Sequence, residues 1–375
     1  MFKNFPFHRV NWKTSSFLIL TFFGALILTP WYLIKYDLPA IQWVMFAFYF
    51  VATTMSITLG YHRLFSHLSF KAKWPVKLFT LCFGAASFEN SCLSWASDHR
   101  HHHKHVDGDG DPYDINKGFW YAHIGWLLFK LDPMPIMNNV ADLKRDKLVM
   151  WQEKWVHLIG FVIGFIVPTL IGYAIGGSSG ALGAFIITGL LRTVLVQHCT
   201  FFINSLCHTI GKRPYDSRTS ARDSAIMAIF TCGEGYHNYH HSFQHDYRNG
   251  VKPWQLDPTK WMIWTLSKVG LATGLRTVPD EKILLAQMRE AQRLIETKRT
   301  KLQEQEEHPL RDRAEEIIDT LSDRLAESYS SVEEAISNKA SLSKAALLEI
   351  QQEIRDVVKS LSKEIKRANP KRARS

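Results

Sequence analysis

Uncharged runs long enough to cross a bilayer dominate the first part of the chain, and a regular alternation of charged and apolar positions replaces them at the end. Ser15 to Ile34 carries no charge. At about 1.5 Å per helical residue, such a run matches a hydrocarbon core of about 30 Å. Leu38 to Tyr61 is a second uncharged run, separated from the first only by Lys35 and Asp37, and the two together predict a helical hairpin. A third run, Trp155 to Leu191, is too long for one span. It is interrupted by Gly176, Gly177, Ser178, Ser179 and Gly180, after which a fourth helix continues through Arg192 towards Asn204.

The pattern therefore predicts spans at about 15–34, 38–61, 155–175 and 181–204. Leu78 to Phe88 is apolar for too short a distance to cross and reads as an interfacial or re-entrant helix. Lys3, Arg9 and Lys13 precede the first span, but no small-residue cleavage site follows it, so a removed signal peptide is not expected. With four crossings, both termini, residues 62–154 and everything after about 205 share one side. That side holds every Lys and Arg except Lys35 and Arg192, which by the positive-inside rule makes it the cytosol.

Near Val278 and Pro279 the composition shifts. Residues 280–375 contain no Gly, Trp or Phe, although the whole chain has 23 Phe and 12 Trp. Acidic and basic residues balance there, so the net charge of +10 belongs to the membrane-bearing part. That charge suits anionic lipid heads or a phosphate-rich substrate, and no nucleic-acid motif accompanies it. Ile317, Leu321 and Leu325, then Leu347, Ile350, Ile354, Val358, Leu361 and Ile365, recur every three or four residues and predict amphipathic helices. Lys366, Arg367, Lys371, Arg372 and Arg374 form a basic end. The expected organisation is a cytosolic N-terminus at 1–14, a membrane domain at 15–278 and a charged helical extension at 279–375.

Chemistry concentrates in histidine. His62 and His67 lie in HRLFSH, His99, His102 and His103 in HRHHH, and His237, His240 and His241 in HNYHH, all on the predicted cytosolic side. Positions i, i+3 and i+4 share a helix face, so each triplet can point one way. Asn204 and His208, in NSLCH, also lie four apart where the last span ends. His208 completes nine imidazoles, enough for two metal ions with four or five protein nitrogens each and room for water or oxygen. Zinc has no redox chemistry and its structural sites are closed and four-coordinate, so iron is the better match. His101, His105, His123, His198 and His245 are surplus to this count and read as structural or solvent-exposed. Asp107, Asp109 and Asp111 in DGDGD lack the features of a calcium loop and read as a charged turn before Pro112. Five cysteines without a CxxC pair argue against a disulfide framework and fit a reducing compartment.

HRLFSH, DHRHHHKH, NSLCH and GEGYHNYHHSFQHDYR, in this order and with the short WASDH and RPYD stretches, resemble the boxes of the membrane fatty acid desaturases, specifically the acyl-CoA delta-9 (stearoyl-CoA type) group. The resemblance covers about residues 12–278. It implies an all-α integral membrane protein with four transmembrane helices, whose cytosolic helical cap holds a di-iron centre. One iron would be held by His62, His67, His99, His103 and His240. The second would be held by His102, His208, His237 and His241, with Asn204 reaching it through water. The implied reaction uses O2 and electrons from a separate donor, such as a cytochrome b5-like protein or a ferredoxin, to place a cis double bond in a fatty acyl chain, its position set by tunnel length. Residues matching Asn90, Trp95, Asp98 and Lys130 would contact the substrate. Ser97 stands where the family has Arg, and Thr14 where it has Asn; both departures leave a lipid-linked or carrier-linked acyl chain open beside acyl-CoA. Neither an HPGG haem stretch nor a CxxC cluster occurs, so the donor is expected to be external.

Three rivals differ from this expectation. A fatty acid or alkane hydroxylase on the same scaffold would add oxygen in place of removing hydrogen. A metal transporter would place ionisable groups at the bilayer midplane, whereas here the spans carry only Arg192, His157 and His198. A third reading makes the tail the functional part and the membrane domain its anchor.

Overall fold

The computed structural model describes residues 7–131, 137–303, 311–338 and 342–368. The chain folds into two compact units, one formed by residues up to 212 together with 219–277, the other by 213–218 together with 278 onward.

In the first unit, helix α1 (Trp12–Lys35) starts at Asn11, whose side chain accepts the Thr14 N–H. It buries Ser15, Leu18, Thr21, Ala25 and Tyr32 while Leu20, Leu26, Ile27 and Ile34 point outward. Large apolar groups outside and small or polar ones inside are the arrangement of a helix solvated by lipid. Helix α2 (Ala40–Met55) runs without a break into a π-helical stretch, Ser56–Ser66. Helix α3 (Trp74–Ala85) packs on that stretch, where Gly60 faces Thr80 and Gly84 faces Tyr61 with no room for a Cβ. Helix α4 (Cys92–His105) follows, capped by Ser91, and then the single helical turn α5 (Trp126–Leu128).

Among the described residues, three helical stretches are long and apolar enough to cross a membrane: Trp12–Lys35, Ala40–Ser66 and Lys147–His208. The last contains α6 (Lys147–Phe161), α7 (Val167–Gly183) and α8 (Arg192–Ser205), joined by π-helical turns at Val162–Ile166 and Ala184–Leu191. It is not straight. Gly177 adopts φ 61° and ψ −147°, a conformation closed to residues with a Cβ, and the chain folds back there. A Cβ on Gly172 would meet Ala184 and the Gly180 carbonyl, so the two arms lie backbone to backbone. Tyr32 and Gln42 donate to the Ser179 and Gly180 carbonyls and close this end. Arg192 is fully buried within the stretch. Its guanidinium donates to the carbonyls of Ala86, Gly164 and Thr188, which ties the end of α3 to the long helix.

Leu78 to Phe88, expected to lie at the interface, falls in the short helix α3 and the turn after it. Helices α9 (Ala225–Phe230), α10 (His237–Ser242) and α11 (Pro258–Lys268) complete the unit. A short strand pair departs from the all-α expectation: β1 (Lys71–Ala72) pairs antiparallel with β2 (Ala272–Thr273).

In the second unit, α12 (Asp280–Gln303), α13 (Arg311–Ser337) and α14 (Lys344–Ala368) share a core of their own. Leu284, Met288 and Ile295 pack there with Ile318, Leu321, Leu325, Val332, Ile354 and Val357. Of the apolar positions expected to face inward, Leu321, Leu325 and Ile354 are buried and Leu347 and Ile350 pack at the margin. The side chains of Ile317, Val358, Leu361, Ile365, Lys366 and Arg367, and the basic residues Lys371, Arg372 and Arg374, lie outside the described residues.

Candidate metal centre

Nine imidazoles converge in two groups, and α4 and α10 each contribute to both. His62 and His67 are five residues apart. On an α-helix that spacing would turn the second ring about 140° from the first. The chain instead widens into i to i+5 bonding, with the His67 N–H donating to the His62 carbonyl at 3.1 Å, and the two ring centres come within 4.7 Å of each other. From α4, His99 and His103 join them while His102 turns away; from α10, His240 joins them while His237 and His241 turn away. Those three meet His208, which sits in a tight turn (Leu206–His208) at the end of α8. The ligand atoms of His62, His67, His99, His103 and His240 lie within 4.8 Å of one another, as do those of His102, His208, His237 and His241.

The geometry fits a cation in each group. Nε2 atoms face one another at 3.0 Å (His62–His240), 2.8 Å (His67–His99) and 3.0 Å (His103–His240) in the first group. In the second they do so at 3.3 Å (His102–His241), 3.1 Å (His208–His237) and 3.1 Å (His237–His241). A metal about 2.1 Å from each nitrogen places neighbouring ligand atoms about 3 Å apart. Polar groups stand behind four of the rings. The Nδ1 of His62 lies 2.9 Å from Glu234, that of His102 2.9 Å from Asp111, that of His208 2.6 Å from the Ser220 hydroxyl and that of His99 3.2 Å from the Tyr113 hydroxyl. Where an acceptor-only group takes the Nδ1 proton, as Asp111 does at His102, the inward Nε2 presents a bare lone pair, the form a metal binds. Five nitrogens on one ion exceed the closed four-coordinate zinc pattern.

Burial, and then repulsion from neighbouring rings, holds His67, His99, His103, His237, His240 and His241 well below the ordinary imidazole pKa, so these ligands are neutral. Burial alone would raise Glu234, but Arg63 and His62 outweigh it and keep the carboxylate ionised. Arg63 is itself fully buried and donates to both Glu234 and Asp257 at 2.9–3.1 Å and to the Tyr247 carbonyl at 2.7 Å. Asp257 in turn accepts the N–H groups of Asn249, Gly250 and Lys260. Burial likewise raises Asp111, and His102 together with the N–H groups of Tyr113 and Asp107 brings it below the usual carboxylate range.

A cavity of about 430 Å³ adjoins both groups, reaching His62 and His99 of the first and His237 of the second. Phe17, Leu18, Ile57, Phe88, Trp126 and Phe201 make most of its wall apolar. Trp95 stacks on His99 with ring centres 4.8 Å apart.

A comparison with protein families matches residues 41–272 to fatty acid desaturase. The chain belongs to the fatty acid desaturase family. A probable acyl-CoA desaturase of Schizosaccharomyces pombe is 43% identical over 255 residues, 68% of this chain and 53% of that protein. Acyl-CoA desaturase 1 of Saccharomyces cerevisiae is 43% identical over 257 residues, 68% and 50% respectively. Human stearoyl-CoA desaturase is 35% identical over 246 residues, 64% and 68%. The matched part of the chain thus spans about half the length of the two yeast relatives.

Among the residues expected to touch substrate, Asn90, Trp95 and Asp98 line the cavity of this desaturase-family chain, as do Asn204 and Thr14. Lys130 is not in that lining; its Nζ donates to the His8 carbonyl at 3.2 Å. Ser97 is buried and donates to Asn139. Several of the surplus histidines have structural partners. His123 bonds His198 and Ser205, and His245 bonds the His67 carbonyl.

Sequence reasoning missed Asp107, Asp111, Ser220, Glu234 and Lys13. The DGDGD stretch is a turn as expected, yet it is not merely one: Asp111 holds His102, and Asp107 accepts both the N–H and the hydroxyl of Ser220. The readable signal was its position, directly after the helix that carries the HRHHH triplet. Lys13 lines the cavity with its Nζ 2.7 Å from His157, but in the sequence it passed for a flanking cation of the first span.

Proposed function

We propose that this chain desaturates a fatty acyl chain, most simply an acyl-CoA, introducing a cis mid-chain double bond with O2 and external electrons. The observation that carries the reading is the meeting of two nitrogen-only ligand groups with an apolar cavity at the ends of membrane-length helices. His62, His67, His99, His103 and His240 would hold one iron, and His102, His208, His237 and His241 the other, with Asn204 contributing through water. Bound there, a pair of irons would supply the redox chemistry that activates oxygen.

The chain's own residues do the positioning. Phe17, Leu18, Phe88, Trp95 and Phe201 hold an unactivated methylene beside the ligand rings and keep water out, which is the larger part of the task because no acid or base is needed to bind an alkyl chain. Glu234, Asp111, Tyr113 and Ser220 hold the imidazoles in orientation. Asn90, Asp98 and Lys13 supply polar groups in the same lining for the head group. Burial raises Asp98 to about 7, so near neutral pH it is a partly protonated group that can donate as well as accept. With Ser97 turned to Asn139, that position offers no cation for a phosphate, and Lys13 takes over the role in this reading.

The fold-back at Gly177 supports two crossings by Lys147–His208, and therefore four in all. Both termini and the histidine groups then lie on the cytosolic side, where nearly all the basic residues fall. The enzyme would be a multi-pass membrane protein of unsaturated fatty acid biosynthesis with a separate electron donor.

Expression in a host that lacks unsaturated fatty acids tests the function. The expected product has lost two hydrogens, with the double bond mid-chain near carbon 9 in the manner of the stearoyl-CoA type. A product that has gained one oxygen would make the chain a hydroxylase, and a host left without new lipid would remove the reading.

A further inference from the structure

Helices place His102, His237 and His241, whereas His208 is placed by a turn. The segment immediately C-terminal to it supplies the partner of its Nδ1. The chain leaves His208, makes an excursion closed by mutual backbone bonds between Lys212 and Asp223 (3.0 and 2.7 Å), and returns through Ser220, whose hydroxyl meets the His208 Nδ1. The Arg222 N–H donates to the Cys207 carbonyl at 2.7 Å and fastens the base of this loop.

The tip of the loop, residues 213–218, folds with the C-terminal helices. The Ser217 N–H donates to the Glu290 carboxylate at 3.0 Å, and Arg293 bridges Asp216 (3.2 Å) and Glu290 (3.1 Å). Glu290 is 3% exposed, so its hold on a backbone amide is shielded from competing water. Only Arg218 and Thr219 separate Ser217 from Ser220, and Asp107 holds Ser220 from its own side. A short stretch of backbone thus joins the tip to the group that meets the His208 ring.

We infer that Glu290 and Arg293 are positioning residues for the second histidine group, acting through loop 213–218 and Ser220 on the ring of His208. The family match ends at residue 272, so both clamping side chains come from a part of the chain beyond the matched core. Helix α12 would then tune one metal position and leave the other alone, because the ligands of the first group are carried by the π-helical stretch, α4 and α10 and not by this loop. The inference rests on the assignment of His208 to a metal-bearing group.

Competition between the purified full-length protein and a colorimetric iron(II) chelator tests it. Removing a partner of a metal-bound histidine lowers affinity about 10–100-fold, and a clamp one step further out is expected at the lower end. Glu290→Ala with Arg293→Ala should weaken one of the two bound irons about tenfold and leave the second unchanged. Glu290→Gln, which keeps an acceptor for the Ser217 N–H, should restore most of the loss. Asp216→Ala, which removes the acceptor that Arg293 and Arg218 reach on the loop side without touching the helical core, should weaken the same iron. Equal weakening of both irons, no weakening of either, or no restoration by glutamine would overturn the inference. His208→Ala separates the two levels: it should lose that same iron outright, and if it keeps both, the ligand assignment fails and not the clamp.

Discussion

The two histidine groups share two helices but are held in different ways. The first is backed by charge: His62 leans on Glu234, which is paired with the fully buried Arg63, which is paired again with Asp257. The second is backed by a turn and a loop, with Asp111 and Ser220 as its partners and Asp107 behind Ser220. A buried ionic network is rigid once complete and fails badly when one member is removed. A loop is easier to adjust. The first group is thus held by a buried ionic network, and the second leans in part on a loop.

The largest effect should come from the ligands themselves. Alanine at His240 or at His102 is expected to abolish the unsaturated product while the protein still inserts in the membrane, as measured by lipid analysis and membrane fractionation. A variant of either group that kept activity would show that the reaction does not need both.

Next comes the ionic network. Arg63→Met leaves Glu234 and Asp257 buried without their cation, and a cost of about 3–5 kcal/mol is expected. It should appear as a large drop in apparent melting temperature. Asp111→Asn keeps an acceptor for His102 but removes its charge, so it should lower affinity for the second ion about tenfold with little change in melting. If both variants affected stability alike, the contrast between core and loop would fall.

Acid acts on both groups at once. Burial holds His67, His99, His103, His237, His240 and His241 below their unfolded pKa, so their contribution to stability is present above about pH 6.5 and is lost as pH falls. Metal affinity should fall with them, because protons compete for the same nitrogens. Glu234 and Asp111 are also depressed, and theirs is lost only in stronger acid, below the ordinary carboxylate range. Chelator competition between about pH 7.5 and pH 5 should therefore show both ions weakening.

The weakest effect is a gain. Burial raises Glu89, in the cavity wall, to about 8, so below that pH it is neutral while the unfolded chain ionises it near 4.5. Glu89→Gln should raise the apparent melting temperature at about pH 7.5, with the difference closing as the pH approaches about 5.

Much of the site was legible because its chemistry is repetitive. The i, i+3, i+4 histidines needed only helical periodicity to be read as converging. What periodicity does not reveal is the division within each triplet: His102 parts from His99 and His103, and His240 from His237 and His241, because each helix runs between the two groups. The spacing of His62 and His67 also conceals its geometry, since their alignment depends on the π-helical turn. In the fold, the run of glycines and serines at 176–180 marked the break in the long helix, and Gly177 supplies it. Asp111 and Glu234 were hidden for another reason. A carboxylate in a turn looks the same in sequence whether it faces water or a histidine, and only burial distinguishes the two.

Metal analysis combined with Mössbauer spectroscopy on the purified full-length protein decides whether two separate iron positions exist. Two irons per chain in distinct nitrogen-rich environments are expected, of which His208→Ala removes one and His67→Ala disturbs the other. Zinc in a closed four-coordinate site, or a single iron bridging both histidine groups, would refute the two-position account.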